Sequence, residues 1–154
     1  MGLQAVPPLV IGIGNRQRGD DAAGAEVIHR LRRLGLPRVS VRTMDGEGTA
    51  LLEAWDAATV VIVVDAVVSG GRPGTIHRFA AHDTALPTRQ FAGSTHAVGL
   101  AEAVELGRAL HRLPRRLIIY GIEGSAFFTG QALSPPVEAA VDRVVERIVR
   151  ELER

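Results

Sequence analysis

The chain contains no cysteine and no lysine. The first absence rules out disulfides, a thiol nucleophile and any zinc or iron–sulfur site built on thiolates. The second rules out Schiff-base chemistry and the lysine of a phosphate-binding P-loop; all 18 basic residues are arginine. Charge of one sign is also missing. The net charge of +1 gives no electrostatic basis for a nucleic acid or an anionic membrane as partner. No apolar run approaches the roughly 18 residues of a membrane helix. The opening segment "MGLQAVPPLVIGIG" lacks the positive region of a signal peptide. Val6 stands where a myristoylation signal needs Ser or Thr. These absences predict a cytoplasmic protein.

What is present fits one domain spanning residues 1–154, with 46% hydrophobic and 23% charged residues. Leu9–Ile13 is a short apolar run bounded by Pro8 and Gly14, and reads as a buried strand. From Ala22 to Leu34, apolar residues at 27, 28, 31 and 34 form a helical stripe stopped by Gly35 and Pro37. Val39–Met44 alternates as a second strand, and "TALLEAWDAA" makes a short helix. "TVVIVVDAV" is apolar throughout, as a central parallel strand is. "GGRPGTIHRF" reads as a turn and a weaker strand. Ala97–Leu110 reads as a helix with Leu100, Val104 and Leu110 inward, and "RRLIIYGI" as another buried strand. Ser134 can cap a last helix that opens on Pro135 and Pro136 and buries Val137, Val141, Val144, Val145, Ile148 and Leu152. Alternating strands and helices predict a three-layer α/β domain with a mostly parallel, twisted sheet.

The acidic and imidazole residues fall at the carboxyl ends of these strands. Asn15, Asp20 and Asp21 follow the first strand, Asp45 the second, and Asp65 closes the most hydrophobic one. His96 precedes the helix starting near Ala97. In open α/β sheets that edge holds the ligand crevice, so Asp21, Asp65 and His96 can converge there. Two carboxylates and an imidazole form an oxygen and nitrogen donor set suited to a borderline divalent cation such as zinc or nickel. Each has a plainer role available. Asp20 or Asp21 can cap the helix while the other faces the crevice. His96 can be a satisfied residue of a helix N-terminus. Asp65 is harder to place otherwise, because an Asp closing five aliphatics is buried unless it meets water, a partner or a metal. His29, His77, His82 and His111 read as surface or structural residues.

Other chemistries fit less well. A dinucleotide-binding G-x-G-x-x-G beginning at Gly12 has Gln17 in place of its last glycine, and Asp20 and Asp21 would repel phosphates. A triad of Ser94, His96 and Asp65 lacks the glycines of a nucleophile elbow.

The segments "GIGNRQRGDDAAG", "MDGEGT", "VVDAVVSG", "STHAVGLAEAV" and "GIEG…LSPPV" occur in an order that resembles the maturation endopeptidases of [NiFe] hydrogenases. The likeness runs from Val10 to about Val149. It implies a phosphorylase/hydrolase-like α/β fold and a protease that removes the C-terminal extension of the hydrogenase large-subunit precursor after nickel insertion. It also implies metal contacts at Asp21, Asp65 and His96, a nickel ion delivered within the substrate, and no organic cofactor. Asn15 and Asp45 would position substrate or support the ligands, and Asp20 would cap the helix or hold backbone. Asp21 stands where the family often has Glu, Glu47 extends the usual "DGGT" to "DGEGT", and Ala22 replaces a common glycine. A non-catalytic metal-binding chaperone for the same large subunit is the alternative, and a small-molecule-binding α/β domain a third reading.

Overall fold

The computed structural model describes residues 6–14, 19–87, 99–125, 127 and 130–153. Five strands form one sheet: β1 (Leu9–Ile13), β2 (Ser40–Met44), β3 (Val60–Val67), β4 (Ile76–Ala80) and β5 (Arg116–Glu123), in the order β2-β1-β3-β5-β4. All neighbours run parallel except β4, which pairs antiparallel with β5 at one edge. All five strands lie within a residue or two of where the apolar runs of the sequence place them.

Four helices cover the sheet: α1 (Ala23–Leu34), α2 (Gly48–Trp55), α3 (Leu100–Ala109) and α4 (Pro135–Leu152). Side chains alternate across each strand, so the core falls into two layers. Ile11, Val61, Val63, Val67, Leu117 and Ile119 face α2 and α3. Val10, Ile62, Val64, Ile118 and Ile122 face α1 and α4. Burial on both faces explains why β3 and β5 read as continuous apolar runs.

Two expected core residues lie outside these layers. Leu34 is the last residue of α1, next to the left-handed Gly35 cap where the helix stops, and it is exposed. Leu110 is exposed because α3 ends at Ala109, and the chain leaves helical phase there. Leu113 packs against the core near Gly107 instead.

The junction between β1 and α1 is unusually tight. The 3-10 turn Gly19–Ala22 runs directly into α1. A Cβ on Gly24 would lie 2.3 Å from the Ile13 carbonyl oxygen and 2.5 Å from that of Val64. Only glycine lets the first turn of α1 rest on the backbone of β1 and β3. Gly14 adopts φ +140°, and a Cβ there would stand 1.9 Å from the Asp21 carbonyl oxygen. The glycine at the end of β1 therefore fixes where the Asp20-Asp21 turn lies.

A half-buried ionic cluster around the buried Glu151 fixes the far end of α4. The Tyr120 hydroxyl donates to Glu151, which also accepts from Arg78 at 2.7 Å and Arg116 at 2.8 Å. Burial pushes the Glu151 carboxyl up, but hydrogen bonds from Arg78 and Tyr120 and the charges of Arg78 and Arg116 outweigh it, holding it below its ordinary 4.5. Burial first, and then Glu151, push the Tyr120 hydroxyl up to about 12. Glu151 was not anticipated, although its place three residues after Ile148 lies on the apolar stripe of α4.

Arg78 and Arg116 keep 39% and 32% of their side chains exposed, so Glu151→Ala leaves them solvated and should cost only about 1–2 kcal/mol, lowering Tm at neutral pH by roughly 3–6 °C. A carboxylate with a depressed folded pKa stabilises fully above its unfolded value and loses that contribution as pH falls through the folded one. The melting curves of wild type and Glu151→Ala should therefore draw together below about pH 4.5. A constant gap down to acid pH would show that the charge on Glu151 contributes nothing. Separately, Gly14→Ala should cost at least about 3 kcal/mol, from backbone strain plus the collision with Asp21. Gly70→Ala, at φ +84° with nothing within 4 Å of its Cβ, should cost only about 1 kcal/mol. Equal losses in a denaturant titration would mean that the Gly14–Asp21 approach is not a tight constraint.

Candidate functional site

The carboxyl edge of the sheet gathers the acidic residues. Asp21 sits in the 3-10 turn after β1 and is 4% exposed; Asp65 lies near the end of β3 and is 3% exposed. β1 and β3 are neighbours, so the two carboxylates come from adjacent positions along one edge. Burial pushes the Asp65 carboxyl well above the usual carboxylate range. The Ala66 N–H, which donates to Asp65 Oδ1 at 2.8 Å, opposes that, and the negative charge of Asp21 adds to it. A buried carboxylate whose proton affinity a second buried carboxylate raises is the arrangement a cation or a shared proton relieves. The donor chemistry of this pair therefore fits a divalent metal.

Asp20 faces the other way. It is fully buried, and accepts from the Ser125 N–H at 2.8 Å, the Ser134 N–H at 2.8 Å and the Ser134 hydroxyl at 2.9–3.0 Å. It does not cap α1. The N-cap position there is Ala22, with φ −80° and ψ −3° and no side-chain bond, because the 3-10 turn leaves no extended residue for an Asp to fill. Asp20 instead ties the turn carrying Asp21 to the start of α4. Ser134 does occupy the N-cap position of α4, but its hydroxyl serves Asp20 rather than the helix. Pro135 and Pro136 lack N–H groups, so the first turn leaves fewer donors to satisfy.

Asp45 follows β2 at the same edge. It is exposed, and its Oδ1 accepts from the Glu47 N–H at 3.0 Å. Glu47 caps α2 through the Thr49 and Ala50 N–H groups at 3.1 and 2.8 Å. The extra residue of "DGEGT" thus supplies a helix cap. Asn15 and His96 lie outside the described residues. Among the described residues, no three His, Asp or Glu side chains gather closely enough to hold a metal. Nor is any helix among them long and apolar enough to cross a membrane.

One further buried carboxylate at this edge was not anticipated from the sequence. Glu123, 1% exposed, closes β5. It accepts from the Ser69 N–H at 2.7 Å, from the Ser69 hydroxyl and from His77 Nε2 at 3.1 Å. Burial raises its pKa, but the bonds from Ser69 and His77 prevail and hold it below the ordinary value. The signal was there: Glu123 closes "RRLIIYGI" much as Asp65 closes "VVIVV". His77 is structural, as expected, and so is His82, which bonds the Pro114 carbonyl at 2.7 Å.

This architecture recurs in known proteins. The family model described as hydrogenase maturation protease matches residues 25–151. The hydrogenase 2 maturation protease of Escherichia coli strain K12 is 30% identical, over 94% of this chain and 89% of its own. The hydrogenase expression/formation protein HupD of Rhodobacter capsulatus is 29% identical, over 94% of this chain and 70% of its own. Among solved structures, the [NiFe] hydrogenase maturation protease HybD from Thermococcus kodakarensis superposes with a TM-score of 0.73 at 25% identity, covering 96% of this chain and 99% of the other. The fold, the order of the motifs and these matches lead to one assignment: the chain belongs to the hydrogenase maturation protease family.

Proposed function

We propose that this protein is the endopeptidase that removes the C-terminal extension of a [NiFe]-hydrogenase large-subunit precursor once nickel has been inserted. The observation that carries the reading is the pairing of buried Asp65 with Asp21 at the carboxyl edge of the sheet. Two adjacent desolvated carboxylates are relieved either by a shared proton, as in an aspartic-protease dyad, or by a cation, and the resemblance to proteases of nickel-containing hydrogenases favours the cation. A protease that must recognise a cation gains a docking point. The nickel arrives as part of the substrate, with Asp21 and Asp65 contributing oxygen ligands.

His96 is the proposed third ligand. Helix α3 begins at Leu100, four residues beyond it in sequence, and Leu100 packs in the same core layer as Val63 and Val67. Asp65, between those two valines in alternation, projects from that same sheet face. The start of α3 at Leu100 therefore lies on the side of the sheet that carries Asp65. Asn15 and Asp45 are proposed to position the peptide at the rim.

With no cysteine in the chain and no serine in a nucleophile elbow, water is the attacking group. It adds to the scissile carbonyl and gives its proton to a carboxylate or to His96, and the leaving amine is protonated in turn. The precursor's nickel, held at the edge of the crevice, marks the substrate as complete and can polarise the carbonyl.

Incubating nickel-loaded precursor with the protein should shorten the large subunit on an SDS gel, and nickel-free precursor should stay whole. Asp21→Ala, Asp65→Ala and His96→Ala should each slow processing by more than roughly 100-fold, because even residues that only support a ligand cost ten- to hundredfold. Wild-type rates in all three variants would overturn the site. Equal cleavage of nickel-free precursor would overturn the metal recognition. A stable complex with an intact C-terminus would identify the protein as a chaperone instead.

A further inference from the structure

Five large apolar side chains are exposed among the described residues: Val6, Leu34, Val68, Leu106 and Leu110. Val6 precedes β1, Leu34 ends α1, and Leu106 and Leu110 lie at the end of α3. α1 crosses from β1 to the parallel β2 and so returns against the strand direction, and the end of α3 leads directly into the start of β5, so these four mark the amino edge of the sheet. Val68 is different. It is 47% exposed, immediately follows β3, and stands three residues beyond Asp65 at the carboxyl edge.

The loop that carries Val68 is fixed on several sides. Glu123, itself 1% exposed, accepts from both the N–H and the hydroxyl of Ser69, the next residue. Its backbone carbonyl accepts from the Gly74 N–H at 2.7 Å, and its own N–H donates to the Thr75 carbonyl at 2.9 Å. At the far end of the loop a Cβ on Gly74 would lie 2.6 Å from the Pro136 carbonyl oxygen, so the loop also rests on the first turn of α4. His77 Nε2 donates to Glu123 on its remaining side, since an ionised carboxylate only accepts. A half-exposed valine on so heavily anchored a loop is a presented side chain, not a fraying one.

We propose that Val68 is a specificity-determining contact for an apolar side chain of the precursor segment next to the scissile bond, and that Glu123 is the positioning residue that presents it. The partner's identity rests on the proposed function; the presentation of Val68 rests on the contacts above. Glu123 touches neither substrate nor the reacting atoms. It acts through Ser69, by fixing the direction in which the chain leaves β3.

The test is a double-mutant cycle on nickel-loaded precursor with wild type, Val68→Ala, Glu123→Ala and the double variant, alongside Glu123→Gln and Leu106→Ser. Val68→Ala should raise KM roughly fivefold, the loss of two partly desolvated methyl groups, with kcat within twofold. Glu123→Ala should raise KM comparably, and the double variant should be no worse than Glu123→Ala alone. Glu123→Gln, which keeps an acceptor for the Ser69 N–H, should recover most of the loss, and Leu106→Ser should match wild type. An unchanged KM in Val68→Ala overturns the contact. Effects of the two single variants that simply multiply overturn the role of Glu123. Should the wild type leave the precursor whole, the proposed protease activity falls, and the same cycle read as the Kd of the intact complex decides the Val68 inference by the same criteria.

Discussion

Asp65 sets the terms for this structure. A carboxylate that follows four buried aliphatics and lies next to a second buried carboxylate is a costly feature of the fold. Nothing in the packing of a three-layer α/β core requires it, since an alanine or valine would extend the strand at lower cost. The surroundings are instead arranged so that both acids stay where they are. The Asp21 carbonyl is held against Gly14, the first turn of α1 rests on β1 and β3 through Gly24, and Asp20 ties the intervening turn to Ser125 and Ser134. Constraint around an unfavourable group is a mark of a functional site.

These constraints close into a loop through the molecule. Asp20 joins the Asp21 turn to the start of α4, and α4 contacts Gly74 through Pro136. The loop from Val68 to Thr75 returns to Glu123 and, through Ser69, to the end of β3 that bears Asp65. The two carboxylates are thus fixed by a circuit of local bonds rather than by a single element. The other end of α4 is held independently by Glu151 with Tyr120, Arg78 and Arg116. The helix that supports the site is therefore pinned at both ends.

Most of the fold was legible in the sequence, because β3 and β5 carry unbroken aliphatic runs and α1 and α4 carry clear stripes. The errors fell where periodicity stops, at Leu34 and Leu110, since a helix end no longer dictates which way a side chain points. The acidic edge was legible for Asp21 and Asp65 because strand ends define it. The division of labour between Asp20 and Asp21 was only half legible. Backbone support by Asp20 depends on Ser125 and Ser134, more than a hundred residues away, and no local pattern announces such a bond. Glu123 and Glu151 were missed although each interrupts an apolar pattern, because a lone acid in a strand or helix gives no sign of the partners that neutralise it.

The central claim is that Asp21 and Asp65 receive the metal that the substrate brings. The most direct measurement is nickel K-edge absorption on the freeze-trapped complex of this protein with nickel-loaded precursor. The account predicts additional oxygen or nitrogen neighbours around nickel in the complex, lost when the protein carries Asp65→Ala. A nickel environment unchanged from that of the free precursor would contradict it.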